Sequence, residues 1–65
     1  MLVKVNGQDR ELPDDATVLA VIELHHLTPD KVAVELNRRL VRTAQYNTPL
    51  KPGDVVEIVS FVGGG

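Results

Sequence analysis

Apolar residues recur along this chain in two rhythms, and the order of the rhythms predicts one helix set among strands. Met1, Val3 and Val5 alternate around Lys4 and lead into Asn6-Gly7. Alternation marks a strand with one buried face. Asn-Gly is the strongest short signal for a two-residue hairpin turn, because both turn positions take positive φ. The returning segment, Gln8 to Leu12, is mostly polar, which suits a sheet edge, where charge discourages association between strands. Pro13-Asp14-Asp15-Ala16 reads as a turn and Thr17 as a helix N-cap. The spacing then changes. Val18, Val21, Ile22 and His25 fall at i, i+3, i+4 and i+7, the positions that share one face of a helix. A helix is predicted over 18–26, with Asp14 and Asp15 near its positive end. Leu27 is expected to fold back over its far end, where Thr28-Pro29-Asp30 stops it.

Strand patterning returns at Val32 to Leu36. Asn37-Arg38-Arg39 is turn-like, and Leu40-Val41 runs back. Residues 43–50 are irregular, with Tyr46 as their expected anchor, and Pro52-Gly53-Asp54 forms a tight turn. The last strand, 55–62, is nearly continuously apolar, the mark of a strand in a sheet interior. The order strand, strand, helix, strand, strand, strand predicts an α+β domain, with one helix packed across a small mixed sheet and a right-handed crossover through it. If Val56 and Ile58 face that helix, alternation turns Glu57, Val59 and Phe61 to the other side.

With 65 residues, the chain is one domain, and a domain this small buries only about 60% of the surface its unfolded chain exposes. There is little room for a deep cleft. One Phe, one Tyr and no Trp leave aliphatic residues to build the core. The absence of Cys excludes disulfides, thiolate nucleophiles and Cys-based metal sites together. Ser60 sits in a strand without an evident His-carboxylate partner, and no glycine-rich phosphate loop precedes the helix, so an enzyme is not expected. His25 and His26 are adjacent, and adjacent helix positions point apart. They are read as a partly buried filler and a solvent-facing residue, and no metal site is expected. Met1 leads into a strand without a signal-peptide pattern, and no apolar run approaches the roughly 20 residues that span a bilayer. The expectation is a soluble cytoplasmic protein with no membrane partner. A net charge of −2 speaks against a nucleic-acid partner, since such domains are usually basic.

Two features remain for function. The sequence ends Gly63-Gly64-Gly65. Glycines add no side chain to a core and keep the most backbone freedom. The domain is therefore read as residues 1–62 and the glycines, 63–65, as a flexible tail able to extend about 10 Å. Without Cβ atoms it could thread a channel too narrow for other residues and carry the Gly65 carboxylate into another protein's active site. Beside it, Val59 and Phe61 form an expected docking surface for a partner. Arg38, Arg39 and Arg42 form a second candidate, a basic patch for an acidic surface.

The segment Gly53-Asp54-Val55-Val56-Glu57-Ile58-Val59-Ser60-Phe61-Val62-Gly63-Gly64-Gly65 closely resembles the C-terminal part of the thiamine-biosynthesis sulfur carriers, the ThiS family. So do Val5-Asn6-Gly7, the Thr17-Val18 helix start, Ala33-Val34-Glu35-Leu36-Asn37, and Val41-Arg42. His25, Arg42 and Tyr46 depart from residues common in the family, and none of them touches the tail. The resemblance implies the ubiquitin-like β-grasp fold and a carrier with no bound cofactor. It also implies three partners. A ubiquitin-activating-like adenylyltransferase uses ATP to adenylate the Gly65 carboxylate. A sulfur donor fed by a cysteine desulfurase turns the adenylate into a thiocarboxylate. Thiazole synthase takes the sulfur. Two related readings stay open: a molybdopterin-type sulfur carrier, which usually has prolines before its terminal glycines, and a ubiquitin-like protein modifier that forms isopeptide bonds.

Overall fold

The computed structural model describes residues 1–61. The last strand ends at Ser60, two residues short of the expected boundary, since Phe61 already lies outside it; the glycine tail and its boundary lie outside the described residues. Strands β1 (Leu2–Val5), β2 (Gln8–Glu11), β3 (Val32–Leu36), β4 (Arg39–Val41) and β5 (Val55–Ser60) form one sheet in the order β2-β1-β5-β3-β4. β1 and β5 run parallel, and every other neighbouring pair is antiparallel. One helix, α1 (Val18–Leu24), connects the β1–β2 hairpin to β3. This is the ubiquitin-like β-grasp architecture, with the most apolar strand in the middle and the polar β2 at an edge.

The core lies on one face of the sheet. Val3, Val5, Val34 and Val56 pack with Val18, Val21 and Ile22, each at most 2% exposed. Tyr46 and Leu50 close the core from the irregular segment. Leu50 is held there by its N–H, which donates to the Ala16 carbonyl at 2.9 Å. No buried polar or charged residue interrupts the core among the described residues.

The helix begins where capping chemistry places it. Thr17 is extended, and its hydroxyl accepts from the Ala20 N–H at 3.2 Å. Asp14 does not serve the helix dipole. Its carboxylate accepts from the Met1 amino group at 3.2 Å, as Glu11 does at 2.8 Å. These two hydrogen bonds, that of Glu11 first, raise the amine's pKa above its ordinary 8.0. The helix ends at Leu24, two residues before the expected boundary. His25 caps it, and His26 takes φ +60°. The N–H groups of His26 and Leu27 then donate back to Glu23 and Ile22, the reversal that closes a helix when one residue turns left-handed. Leu27 folds back onto the core as expected. The His25 ring is half-buried, with Nδ1 at 3.0 Å from the Val21 carbonyl. Two short 3-10 turns, Pro29–Lys31 and Thr43–Gln45, have no counterpart in the pattern reading.

Three turns fix the register. Asn6 and Gly7 have φ of 48° and 82°, and Asn37 and Arg38 have φ of 53° and 70°, so both hairpins turn with two left-handed residues, which matches the twist of paired strands. Gly53, at φ +86°, follows Pro52 in a turn closed by the Asp54 N–H on the Lys51 carbonyl at 3.0 Å. The two asparagines do a second job. The Asn37 side-chain oxygen accepts from the Val55 N–H at 2.9 Å, and that of Asn6 accepts from the Ile58 N–H at 2.8 Å. Both hairpin turns thus clasp β5 through side chains.

Candidate functional site

The described residues end at Phe61, just past β5, so the surface there is the last one before the glycines in sequence. Burial alternates along β5 as far as Val59 and stops there, since Ser60 is exposed as well. Val56 and Ile58 are buried under the helix, while Val59 on the opposite, open face is 60% exposed and Phe61, just past the strand, is 65% exposed. The Phe61 N–H donates to the Lys31 carbonyl at 2.8 Å. The backbone is therefore anchored at that point although the side chain is not.

The open face is more than two residues wide. β3 sets Ala33 opposite Val59 and Glu35 opposite Glu57, and β4 sets Leu40 opposite Glu35. Leu40 is 65% exposed. It stands at the centre of a three-residue strand between Arg39 and the buried Val41, and alternation alone would have turned it outward. Pairing is what sets it in line with Glu35 and Glu57, on the rim of the depression that Val59 also lines, and pairing is not written in a single sequence. Asn6, Ala33, Glu35, Leu40, Glu57 and Val59 surround a shallow depression of about 360 Å³.

None of the three arginines lines this depression. Arg39 pairs with Leu36, which pairs with Val56, so it stands at the end of the sheet where β5 begins, away from Phe61. Arg39 lines a second depression, with Leu36, Asn37, Val41, Gln45 and Thr48, beyond the β4 edge. Arg38 occupies the β3–β4 turn, and Arg42 precedes the 3-10 turn at Thr43. All three are exposed. Gly63, Gly64 and Gly65 lie outside the described residues.

Among the described residues, no group of three or more His, Asp or Glu side chains could hold a metal ion. No helix among them is long and apolar enough to cross a membrane.

Comparison with known proteins gives this geometry a family. The ThiS family model matches residues 3–65. The chain is 33% identical to the sulfur carrier protein ThiS of Bacillus subtilis, across 98% of this chain and the whole of that one. It is 36% identical to a thiazole synthase of Paramagnetospirillum magneticum, aligning over all of this chain and 20% of that protein. A thiazole synthase of Magnetococcus marinus matches in the same way at 32%, so the chain spans about a fifth of the length of these two relatives. The crystal structure of a thiamine biosynthesis protein (ThiS) from Geobacter metallireducens superposes with a TM-score of 0.79 at 28% identity, covering both chains completely. The chain belongs to the ThiS family, that of the sulfur carrier and thiamine-biosynthesis proteins it matches end to end.

Proposed function

We propose that this chain carries sulfur for thiamine (thiazole) biosynthesis, as a thiocarboxylate on Gly65. The observation that carries the reading is the family match, which runs through the fold and into the triglycine at residue 65. The chemistry follows from the weakness of a carboxylate as an electrophile. The Gly65 carboxylate attacks the α-phosphorus of ATP on a ubiquitin-activating-like adenylyltransferase, and pyrophosphate leaves. AMP is then a good leaving group at the acyl carbon, and the terminal sulfur of a persulfide donor, charged by a cysteine desulfurase, displaces it to give an acyl disulfide that a thiol reductant cleaves to the thiocarboxylate. Thiazole synthase receives the sulfur, and Gly65 returns as a carboxylate, its new oxygen coming from the substrate oxygen that sulfur replaces or from water. Support for that last partner comes from the two thiazole synthases that contain a stretch similar to this whole chain. The domain itself holds no catalytic group in this scheme. Its task is to present Gly65 and to be recognised, through the open face at Val59 and Phe61.

Intact mass after incubation with ATP, the adenylyltransferase and a sulfur source tests the reading. The expected result is the gain of one sulfur for one oxygen, lost when Gly65 is removed. An unchanged mass would overturn it. Gly65 joined to lysines of other proteins would make the chain a modifier instead.

A further inference from the structure

We propose that the open face of the sheet receives a basic side chain, an arginine or lysine, from the adenylyltransferase, seated over Glu35 and Glu57 beside Leu40 and Val59. The inference rests on the reading that the chain docks onto such an enzyme, and it names the chemistry of the contact.

Glu35 and Glu57 are direct partners across β3 and β5, and both are exposed. Like charges in that relation destabilise a sheet. Nothing in the described residues relieves them. The one lysine on the open face of β1, Lys4, pairs with Asp9 at 3.9 Å and stands opposite Val55. Beyond Val56 the neighbour of β5 is Asn6, whose N–H donates to the Val56 carbonyl and whose side chain accepts from Ile58. The carboxylates flank the depression that Leu40 and Val59 line. A purely apolar partner covering Leu40 and Val59 would strip water from two carboxylates and return nothing, which is costly. A cation set between them would satisfy both, and a guanidinium has donors enough to reach each. The pair is therefore unfavourable in the free domain and favourable only under a basic partner. A surface selected for binding rather than stability has this character.

Glu35→Gln and Glu57→Gln keep the shape and remove the charge. Titration of the purified adenylyltransferase of the same organism with each variant, at low and high salt, is the test. Each substitution should weaken binding tenfold or more at low salt and flatten the salt dependence. Thermal melts of the free variants should be unchanged or higher. Leu40→Ser and Val59→Ser separate this inference from the docking reading beneath it. If the serine variants bind weakly and the glutamine variants bind like the parent, the face docks but the basic contact is wrong. If all four bind like the parent, the enzyme docks elsewhere and both readings fall. A second copy of the chain could offer its own exposed Arg38 and Arg39. Self-association in sedimentation that Glu35→Gln abolishes, with enzyme binding intact, would assign the face to that copy and overturn the proposal.

Discussion

The two faces of β5 differ in what they are for. Val56 and Ile58 point into the core, at 0% and 8% exposure, while Val59 and Phe61, one strand position out of phase, stand 60% and 65% exposed. The same strand type and nearly the same residue types serve both faces. On the core side, valine supplies stability by leaving water. On the open side it stays in contact with water. The lesson is that apolar content alone assigns no role in so small a domain. The role comes from the phase of a residue in the strand and from what stands across from it.

One chemical change placed on each face in turn should give opposite outcomes. Val56→Asp has the largest expected effect. An uncompensated charge in the core costs several kcal/mol, against a total stability of roughly 3–10 kcal/mol for a domain of this size. The variant should be unfolded by circular dichroism at room temperature. A cooperative melt near that of the parent would mean that Val56 is not the central core residue its burial makes it.

Phe61→Asp should leave the fold intact, since exposed positions usually change stability by less than about 0.5 kcal/mol. It should weaken binding to the adenylyltransferase by about 2 kcal/mol or more, the loss expected when an aromatic anchor is removed from an interface. Urea unfolding and calorimetric titration on the same sample separate the two quantities. Loss of folding would place Phe61 in the core. Unchanged binding would move the docking surface away from the end of β5.

The residues that carry these predictions were legible to different degrees. The alternation of β5 and its central position could be read from its composition. Asn6-Gly7, Thr17 and Pro52-Gly53 announce their turns and cap because each supplies a conformation or an acceptor that few residues can. Arg38 announces nothing, because a left-handed arginine is held by the hairpin around it and not by its own preference. Leu50 looks like any loop leucine until its N–H meets the Ala16 carbonyl. The open face was half legible. Glu57, Val59 and Phe61 follow from strand phase, but Leu40 and Glu35 join them only through the β3–β4 and β3–β5 register. A one-residue slip in that register would pair each with a different neighbour. The position of the arginines was legible only in part for the same reason: their closeness in sequence could be read, but only the β3–β4 register sets Arg39 at the end of the sheet where β5 begins.

Asn6 sits on the border between the two faces and gives the smallest and most local test of their separation. β1 pairs with β5 only as far as Val56, and the Asn6 side chain carries the ladder one step further, to the Ile58 N–H. Asn6→Gly keeps a residue that accepts the observed φ of 48° and removes only that acceptor. The loss should be about 1 kcal/mol, the usual worth of one hydrogen bond. Asn6→Ala should cost about 1–2 kcal/mol more, the strain of a left-handed residue that bears a Cβ. Hydrogen exchange should localise the change, with the Ile58 amide losing protection in both variants while Val34 keeps its own. Both variants take the Asn6 side chain from the rim of the depression but leave Leu40, Val59 and the two carboxylates in place, so binding to the adenylyltransferase should weaken less than in Phe61→Asp. A glycine variant as stable as the parent, with Ile58 still protected, would show that the ladder ends at Val56 and that Asn6 only makes the turn. If binding fell as far as in Phe61→Asp, the clasp on β5 would be shaping the open face, and the two sides of the strand could no longer be treated as independent.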